Sequence, residues 1–191
     1  MLIGLSYIYP DPLIYMLDVE EVLPILNVKG DICGSMQVSI RCWINKMEVA
    51  PAYLSTDKEC RLDDFVNENL VIKFHFESLH DLPKELCAHN KIRFQFFYHT
   101  SLYTTPETSG VTKSPTLGEP IIIEQLITAD LIDYLQRGYI EIEVWGKKVN
   151  RLSEMRDCCG LTEFEDDNEK SSPVEQHDKV QTTNEFMKSR T

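Results

Sequence analysis

Residues 139–146, YIEIEVWG, alternate apolar side chains with glutamates. The apolar positions are Ile140, Ile142 and Val144, and the acidic positions between them are Glu141 and Glu143. Successive side chains of a β-strand point to opposite faces of a sheet, so this alternation predicts a strand with one face in a core and the other in water. A chain built from such strands has to cover their apolar faces with a second layer.

Several other stretches carry a strand signal. Strands are predicted over residues 13–17, 22–26, 36–43, 70–77, 92–98 and 121–123. Pro24 lacks a backbone N–H and should lie at a sheet edge or at a break. Five or more short strands with long polar loops predict a mainly β protein, an antiparallel β-sandwich with one short helix and a disordered C-terminal tail.

The one predicted helix directly precedes the strand over residues 139–146. Thr128 is suited to cap its first turn, and Gly138 should end it in a left-handed conformation. Its apolar stripe is Leu131, Ile132 and Leu135. The spacing of these three residues places them on one side of a helix, where they can pack on a sheet.

Composition along the chain predicts four segments. Residues 1–43 are N-terminal strands that continue from a longer parent chain, and residues 44–69 are a linker with one weak helical turn. Residues 70–148 form the sandwich core, in which residues 100–120 are a long exposed loop rich in Thr, Ser, Pro and Gly. Residues 149–191 are acidic and poor in aliphatic side chains, so we expect a disordered tail.

Charge and cysteine usage narrow the class of protein. The formal net charge of −12 disfavours nucleic acid as a partner and allows only weak membrane contact. No secretory signal, membrane-length apolar run or Cys-x-x-Cys pair occurs in the sequence, so we expect a cytoplasmic protein with reduced thiols. Cys158 and Cys159 follow several basic residues and could be lipidated, but plain thiols are the simpler interpretation.

No motif predicts catalysis, a cofactor or a metal ion. Residues 110–114, GVTKS, resemble the end of a phosphate-binding loop, but Thr112 replaces the required glycine and Pro115 follows. The set His75, His80, Cys87 and His89 matches no zinc-ligand spacing. The acidic run over residues 163–167 is best read as a solvated segment. The chain is therefore expected not to be an enzyme.

Residues 71–86, VIKFHFESLHDLPKEL, residues 91–98, KIRFQFFY, and the strand over 139–146 together resemble a C2 domain. Calcium-binding C2 domains continue the last strand as Val-Trp-Asp-x-Asp. Here Gly146 and Lys148 stand in the two aspartate positions, and His89 and Asn90 replace a Ser-Asp-Pro loop. Because calcium needs several oxygen ligands, the resemblance implies a C2-like module that does not bind calcium.

Three blocks resemble, in this order, the non-motor stalk and tail region of kinesin-three motors, which carry organelles and vesicles: residues 5–43, the strand-loop-strand stretch over residues 71–98, and residues 130–146, DLIDYLQRGYIEIEVWG. The resemblance covers residues 2–148 and suggests the kinesin-like protein six branch, associated with mitochondrial transport. In the family, a similar stretch precedes a C2-like module that ends in IEVWG, which makes Trp145 and Gly146 the signature of the fold.

This resemblance implies a fragment or short isoform of a transport kinesin. The 191 residues contain neither a motor domain nor a phosphate-binding loop. We therefore expect a cargo-binding or autoinhibitory module in microtubule-based movement, with a cargo adaptor or other segments of the parent kinesin as partners. Microtubules would be bound only through the absent motor domain. The expected location is the cytoplasm, on the cytoskeleton, at a mitochondrial or vesicle surface.

We expect the contact surface of such a module to consist of outward-facing polar residues. The candidates are Lys73, His75, Arg93, His99, Lys147 and Lys148, together with the loops over residues 80–90 and 100–120. Each of these residues is equally compatible with an ordinary solvated position. An alternative function is a calcium-independent, membrane- or scaffold-binding C2-like domain of a non-kinesin protein, with a basic patch at Lys147, Lys148 and Arg151.

Overall fold

The computed structural model of the chain describes residues 1–44 and 60–149, and all of them belong to the unit Met1–Leu161. In this part of the chain the strands are β1 (Leu2–Ile8), β2 (Val19–Leu26), β3 (Ile32–Ile44), β4 (Asn69–His80), β5 (Ala88–Phe94), β6 (Tyr103–Thr104), β7 (Ile121–Leu126) and β8 (Ile140–Lys147). The α-helix is α1 (Ala129–Arg137), and short 3-10 helices span Asp11–Tyr15, Leu62–Phe65 and Lys84–Leu86. The mainly β class with one α-helix is thus confirmed.

All strand pairs are antiparallel, in the order β6-β5-β8-β1-β2-β3-β4-β7. Only one register pair, Leu5 opposite Leu26, joins β1 to β2, and the Ser6 hydroxyl donates to the Pro24 carbonyl over 2.7 Å beside it. This narrow joint divides the strands into two four-stranded layers that fold over each other. The result is a nearly closed β-sandwich, as the strand pattern predicts.

Aromatic rings fill the space between the two layers. The Phe94 ring of β5 lies 4.9 Å from the Phe74 ring and 5.4 Å from the Phe76 ring, both on β4. Phe96 lies 5.6 Å from Phe74 and is fully buried. Because β4 and β5 belong to different layers, these contacts hold the two apolar faces together and exclude water from the core.

Strand β8 confirms the predicted alternation of inward apolar side chains with outward glutamates. Ile140, Ile142 and Val144 are buried, whereas Glu141 is exposed. The strand pairs with β5 on one side and with β1 on the other. Its outward side chains therefore lie in the middle of the outer face of the β6-β5-β8-β1 layer.

The N-terminal segment and the segment over residues 70–148 share one sheet. Strand β1 pairs with β8, and β3 pairs with β4 over ten residue positions from Ser35 to Ile44. Residue 44, placed in the linker by the sequence, ends β3, and Leu62–Phe65 supplies the short helical turn expected there. Residues 45–59 lie outside the described part of the chain.

The strand predicted over residues 13–17 is wrong, because a 3-10 helix spans Asp11–Tyr15. Pro12 lies at its start, where a fixed φ favours a helical turn and no N–H is needed. Leu13 and Ile14 are both buried, although a strand would send these neighbours to opposite faces. The run of apolar residues therefore reflects burial of a turn.

Strand β5 lies earlier in the chain than predicted, since it begins at Ala88 and ends at Phe94 and not at residue 98. Phe97 has a left-handed φ of 53°, which no strand residue adopts. The turn buries Phe96 and leaves Tyr98 exposed. Aromatic side chains alternate here as in a strand, but the backbone has already turned away from the sheet.

The loop over residues 100–120 is not wholly exposed, contrary to the prediction. It contains β6, and bridges pair Thr116 with Ser78 and Val111 with Ala88. Thr105 is buried, and its hydroxyl accepts the Ile92 N–H over 2.9 Å. The polar composition of this loop predicted that it is exposed. A threonine hydroxyl can, however, accept a hydrogen bond from a backbone N–H, so a polar side chain can be buried in the fold.

Helix α1 begins as predicted but ends differently. The Thr128 hydroxyl accepts the Leu131 N–H over 3.2 Å, which confirms the cap. Gly138 has φ −86° and ψ 178°, so the predicted left-handed conformation is wrong. A Cβ at this position would lie 2.5 Å from the Tyr134 carbonyl oxygen. Glycine is needed here for close approach and not for a positive φ.

The predicted tail over residues 149–191 lies outside the described residues except for Val149. This residue is buried, and its N–H donates to the Glu85 carbonyl over 3.0 Å. The ordered part therefore extends at least one residue past the predicted boundary.

The prediction of reduced thiols is only partly right. Cys33, Cys42 and Cys60 are free, but Cys87 is disulfide-bonded. Cys158 and Cys159, considered for lipidation, lie outside the described residues.

Candidate interaction surface

Trp145 lies at the centre of a polar and aromatic cluster on the outer face of β8. Its indole N–H donates to Glu143 Oε2 over 2.7 Å. The Arg93 guanidinium carbon lies 5.0 Å from the centre of the indole ring, and Arg93 Nε lies 3.6 Å from the same Glu143 oxygen. This pairing follows from register, because Arg93 and Glu143 are directly opposite each other on β5 and β8. Cation–π and ionic contacts thus hold Arg93 flat against the sheet.

Lys147 belongs to a second charged group at the end of β8. The ammonium groups of Lys147 and Lys91 lie 2.6 Å and 3.1 Å from the two carboxylate oxygens of Glu107. Hydrogen bonds from Lys147 and then Lys91 lower the pKa of Glu107 from 4.5 to about 2. The carboxylate therefore stays ionised and partly neutralises the basic patch predicted around Lys147 and Lys148.

Three tyrosines extend the outer face at the start of β8. The Tyr139 ring lies 5.6 Å from the Tyr7 ring and 6.5 Å from the Tyr9 ring. Their exposed fractions are 36% for Tyr7, 63% for Tyr9 and 53% for Tyr139. Desolvation, and then the nearby Glu141 carboxylate, raise the pKa of Tyr7. All three rings leave apolar surface in contact with water.

A groove of about 490 Å³ lies between this face and helix α1. We refer to it as the aromatic groove; the lining residues that matter here are Phe94, Phe97, Tyr134, Tyr139, Glu141 and Glu143. The Tyr134 hydroxyl donates to the Tyr139 carbonyl over 3.4 Å and links the helix to the start of β8. Beside the groove, the Tyr98 ring lies 4.4 Å from the Phe97 ring in a tilted arrangement and is 75% exposed. Exposed rings therefore run from Tyr98 to Tyr9 with the groove between them.

The structure separates the six predicted surface residues. Arg93 and Lys147 lie on the outer face that carries Trp145, and the exposed Lys148 follows β8. Lys73 and His75 lie on β4 in the other layer, opposite Arg41 and Ser39 of β3. These positions do not converge on one surface with Arg93 and Lys147.

His99 connects three elements near the ends of the sandwich. Its Nδ1 lies 2.7 Å from the Tyr103 hydroxyl of β6, and its Nε2 lies 2.7 Å from Gln125 Oε1 of β7. Because β6 and β7 are the two ends of the strand order, this side chain ties the sandwich closed. Both ring nitrogens are therefore already engaged within the fold.

Gly146 packs where the C2 resemblance placed a calcium ligand. A Cβ on Gly146 would lie 2.1 Å from the Leu86 carbonyl oxygen and 2.7 Å from Asn90 Nδ2. The Asn90 amide is buried and donates to the same carbonyl over 3.0 Å. Gly146 and Asn90, which the resemblance aligns with calcium-ligand positions of C2 domains, thus pack against each other. No side chain longer than hydrogen fits at residue 146 without moving the backbone.

Two further observations concern metals and membranes. Within residues 1–44 and 60–149, no three His, Cys, Asp or Glu side chains are grouped so that they could hold a metal ion. His80, one of the histidines weighed as a ligand, lies 2.9 Å from the Ser78 hydroxyl through its Nε2. Of the helices in the described part of the chain, none is long and apolar enough to cross a bilayer.

Sequence reasoning missed most of the aromatic residues on this outer face. It singled out Arg93 and Trp145 but not Tyr7, Tyr9 or Tyr139. The available signal was the alternation of residues 5–9, LSYIY, which sends two tyrosines to the same side as the glutamates of β8. Helix α1 completes the groove with Tyr134, and its position relative to the sheet is a property of tertiary packing alone.

Comparison with known proteins finds a distant relative. No protein-family model matches the chain. The chain is 25% identical to the human kinesin-like protein KIF13B over 161 residues, which cover 78% of this chain and 9% of KIF13B. The chain therefore spans less than a tenth of that protein. This likeness supports a kinesin-related region and, by itself, goes no further.

Proposed function

We propose that this chain is a non-catalytic protein-interaction module of a kinesin-related transport protein. The observation that carries the proposal is the row of exposed rings on the outer face of β8, with the aromatic groove in its middle. The likeness to KIF13B supports the kinesin relationship.

The composition of this face favours recognition of another protein. Tyr, Trp and Arg are enriched among the residues that contribute most to binding in protein interfaces. Tyr7, Tyr139, Trp145 and Arg93 are held in place by ring contacts and by pairing within the sheet. A partner that covers them would lose little side-chain entropy on binding, because these groups are already ordered.

The proposal treats residues 110–114, which resemble the end of a phosphate-binding loop in sequence, as a structural loop. Val111 pairs with Ala88, and the Thr112 hydroxyl accepts the Ser114 N–H over 3.2 Å. A phosphate-binding loop needs a strand before it and a helix after it, and neither flanks residues 110–114. Any motor activity would then belong to other parts of a parent protein.

In this proposal the module binds a cargo adaptor or another segment of its parent kinesin. It acts in the cytoplasm, on the cytoskeleton, at the surface of a transported organelle or vesicle. Cargo binding and autoinhibition both use the same chemistry, which is non-covalent recognition through the outer face. Microtubule contact would come from the motor domain of the parent.

The test is proximity labelling in cells with a biotin ligase fused to the chain. The double variant Tyr7→Ser, Tyr139→Ser removes two exposed rings and leaves the core intact. We expect it to lose the neighbours that belong to organelle transport, whereas the matched variant Val22→Ser, Ile122→Ser on the other layer retains them. Unchanged neighbours in the tyrosine variant would refute the assigned face.

A second measurement addresses the absence of catalysis. The purified chain is mixed with ATP and microtubules, and phosphate release is followed over time. We expect turnover at the background level. Microtubule-stimulated release above that level would show a motor activity that the proposal excludes.

A further inference from the structure

The aromatic groove combines apolar walls with an acidic side. Phe97, Tyr134 and Tyr139 contribute its aromatic surface, and Arg137, Glu141 and Glu143 line the same space. Its volume of about 490 Å³ is large enough for a few side chains of a ligand. Whatever binds here has to satisfy flat apolar rings and carboxylates together.

The charges around the groove leave a net negative potential. Arg137, the cation at the helix end, is paired with Asp133 at 3.2 Å, and Arg93 is paired with Glu143. Glu141 is exposed, and no cation of the described residues forms an ion pair with it. An arginine or lysine from a ligand would complete this site.

We infer that the aromatic groove binds an extended, proline-containing segment of a partner protein that carries an arginine or lysine beside its prolines. This inference rests on the proposed function, since it names the ligand chemistry of the same surface. Proline rings pack well on flat aromatic side chains, and a polyproline II segment is already extended before it binds. The basic residue would meet Glu141.

The cost of ordering the ligand favours an extended segment over a helix. Isolated helices shorter than about 12–15 residues are marginal in water, so a short helical ligand would have to fold as it binds. An extended chain has no internal hydrogen bonds to maintain, so a few residues are enough to use the whole groove.

The test titrates the isotope-labelled chain with short synthetic peptides and follows its amide signals by NMR. The first peptide contains a Pro-x-x-Pro repeat followed by Arg, the second has Glu in place of that Arg, and the third has Ala in place of each Pro. We expect saturable shifts at Phe97, Tyr134 and Tyr139 with the first peptide, and affinities about tenfold lower with the other two.

Two charge-reversal variants provide the matched comparison. Glu141→Lys places a cation in the groove and should weaken the first peptide about tenfold. Glu124→Lys makes the same charge change at an exposed position of β7 and should leave its affinity unchanged. Both residues are exposed, so neither variant should disturb the core.

Three results would overturn the inference: no saturable binding of the first peptide, equal binding of the alanine peptide, or equal weakening by both variants. The proposed function is tested separately by the tyrosine variant in cells. If that variant loses its neighbours while the peptides fail to bind, the surface is correct and the ligand class is wrong. If the peptides bind as expected and the neighbours are unchanged, the groove chemistry stands and the transport role fails.

Discussion

Gly146 has a packing role that the sequence does not predict. The C2 resemblance explains this residue by what is missing, namely an aspartate ligand. In the fold, the Leu86 carbonyl and the Asn90 amide occupy the space where a side chain would start. Close approach of β8 to the segment before β5 therefore requires glycine, whether or not an ancestor bound an ion.

Replacing Gly146 by alanine should lower the free energy of unfolding by about 1–3 kcal/mol, because the new Cβ meets backbone that has to move. Urea denaturation measures the change. Gly118→Ala is the control, since a Cβ there meets nothing within 4 Å and φ is not positive. Equal stability of the two variants would contradict the packing argument.

The carboxyl group of Glu107 should titrate far below an ordinary glutamate. Its pKa is lowered from 4.5 to about 2 by Lys147 and Lys91. A lowered pKa in the folded state means that the interaction stabilises the protein above pH 4.5 and is lost as the pH falls towards 2. NMR titration of the Glu107 carboxyl should show this low midpoint.

The variant Lys147→Gln should raise the midpoint of Glu107 towards 4.5, since it removes the larger of the two causes. Added salt should act in the same direction, because these groups are exposed to solvent. A midpoint near 4.5 in the unaltered chain would show that the two lysines do not hold the carboxylate.

Individual elements follow the sequence closely where one local interaction dominates. The alternation of β8 and the Thr128 cap of α1 both depend on neighbours in sequence, and both are confirmed. The turn after β5 differs from prediction because distant packing sets it, since the Phe97 ring lies 5.4 Å from the Tyr134 ring of α1. The end of α1 differs because the backbone of Gly138 lies against the Tyr134 carbonyl of the same helix, without a left-handed conformation.

Removal of the helix cap should have a modest and specific cost. Thr128→Ala deletes the acceptor for the Leu131 N–H, so the free energy of unfolding should fall by about 1 kcal/mol. Thr128→Ser keeps the hydroxyl and should stay close to the original stability in thermal denaturation. If both variants lose the same amount, the threonine methyl group and not the cap is responsible.

The whole molecule is a sandwich whose two layers meet through aromatic contacts and a single register pair. Strands from residues 1–44 and from residues 69–147 contribute to it together. The N-terminal strands are therefore part of the module that carries the candidate surface. Acidic charge is spread over the chain, and the basic group at the end of β8 is shared with Glu107.

At this scale we predict that the chain does not associate with anionic membranes in response to calcium. The net charge of −12 opposes anionic lipid, and the resemblance to C2 domains puts Gly146 and Lys148 in the two aspartate positions of the calcium-binding members. Pelleting with phosphatidylserine vesicles should be weak and equal with calcium and with chelator. Strong calcium-dependent pelleting would contradict the argument from Gly146 and Lys148, whereas strong pelleting under both conditions would favour the calcium-independent membrane-binding alternative.

The sequence by itself determined the β class, the inward and outward faces of β8 and the start of α1. Each of these depends on periodicity or on a cap, and both signals lie within a few residues. Only the tertiary structure decided that Phe97, Tyr134, Tyr139 and Glu141 line one groove. These residues come from different elements, and the pairing of β5 with β8 and the packing of α1 bring them together.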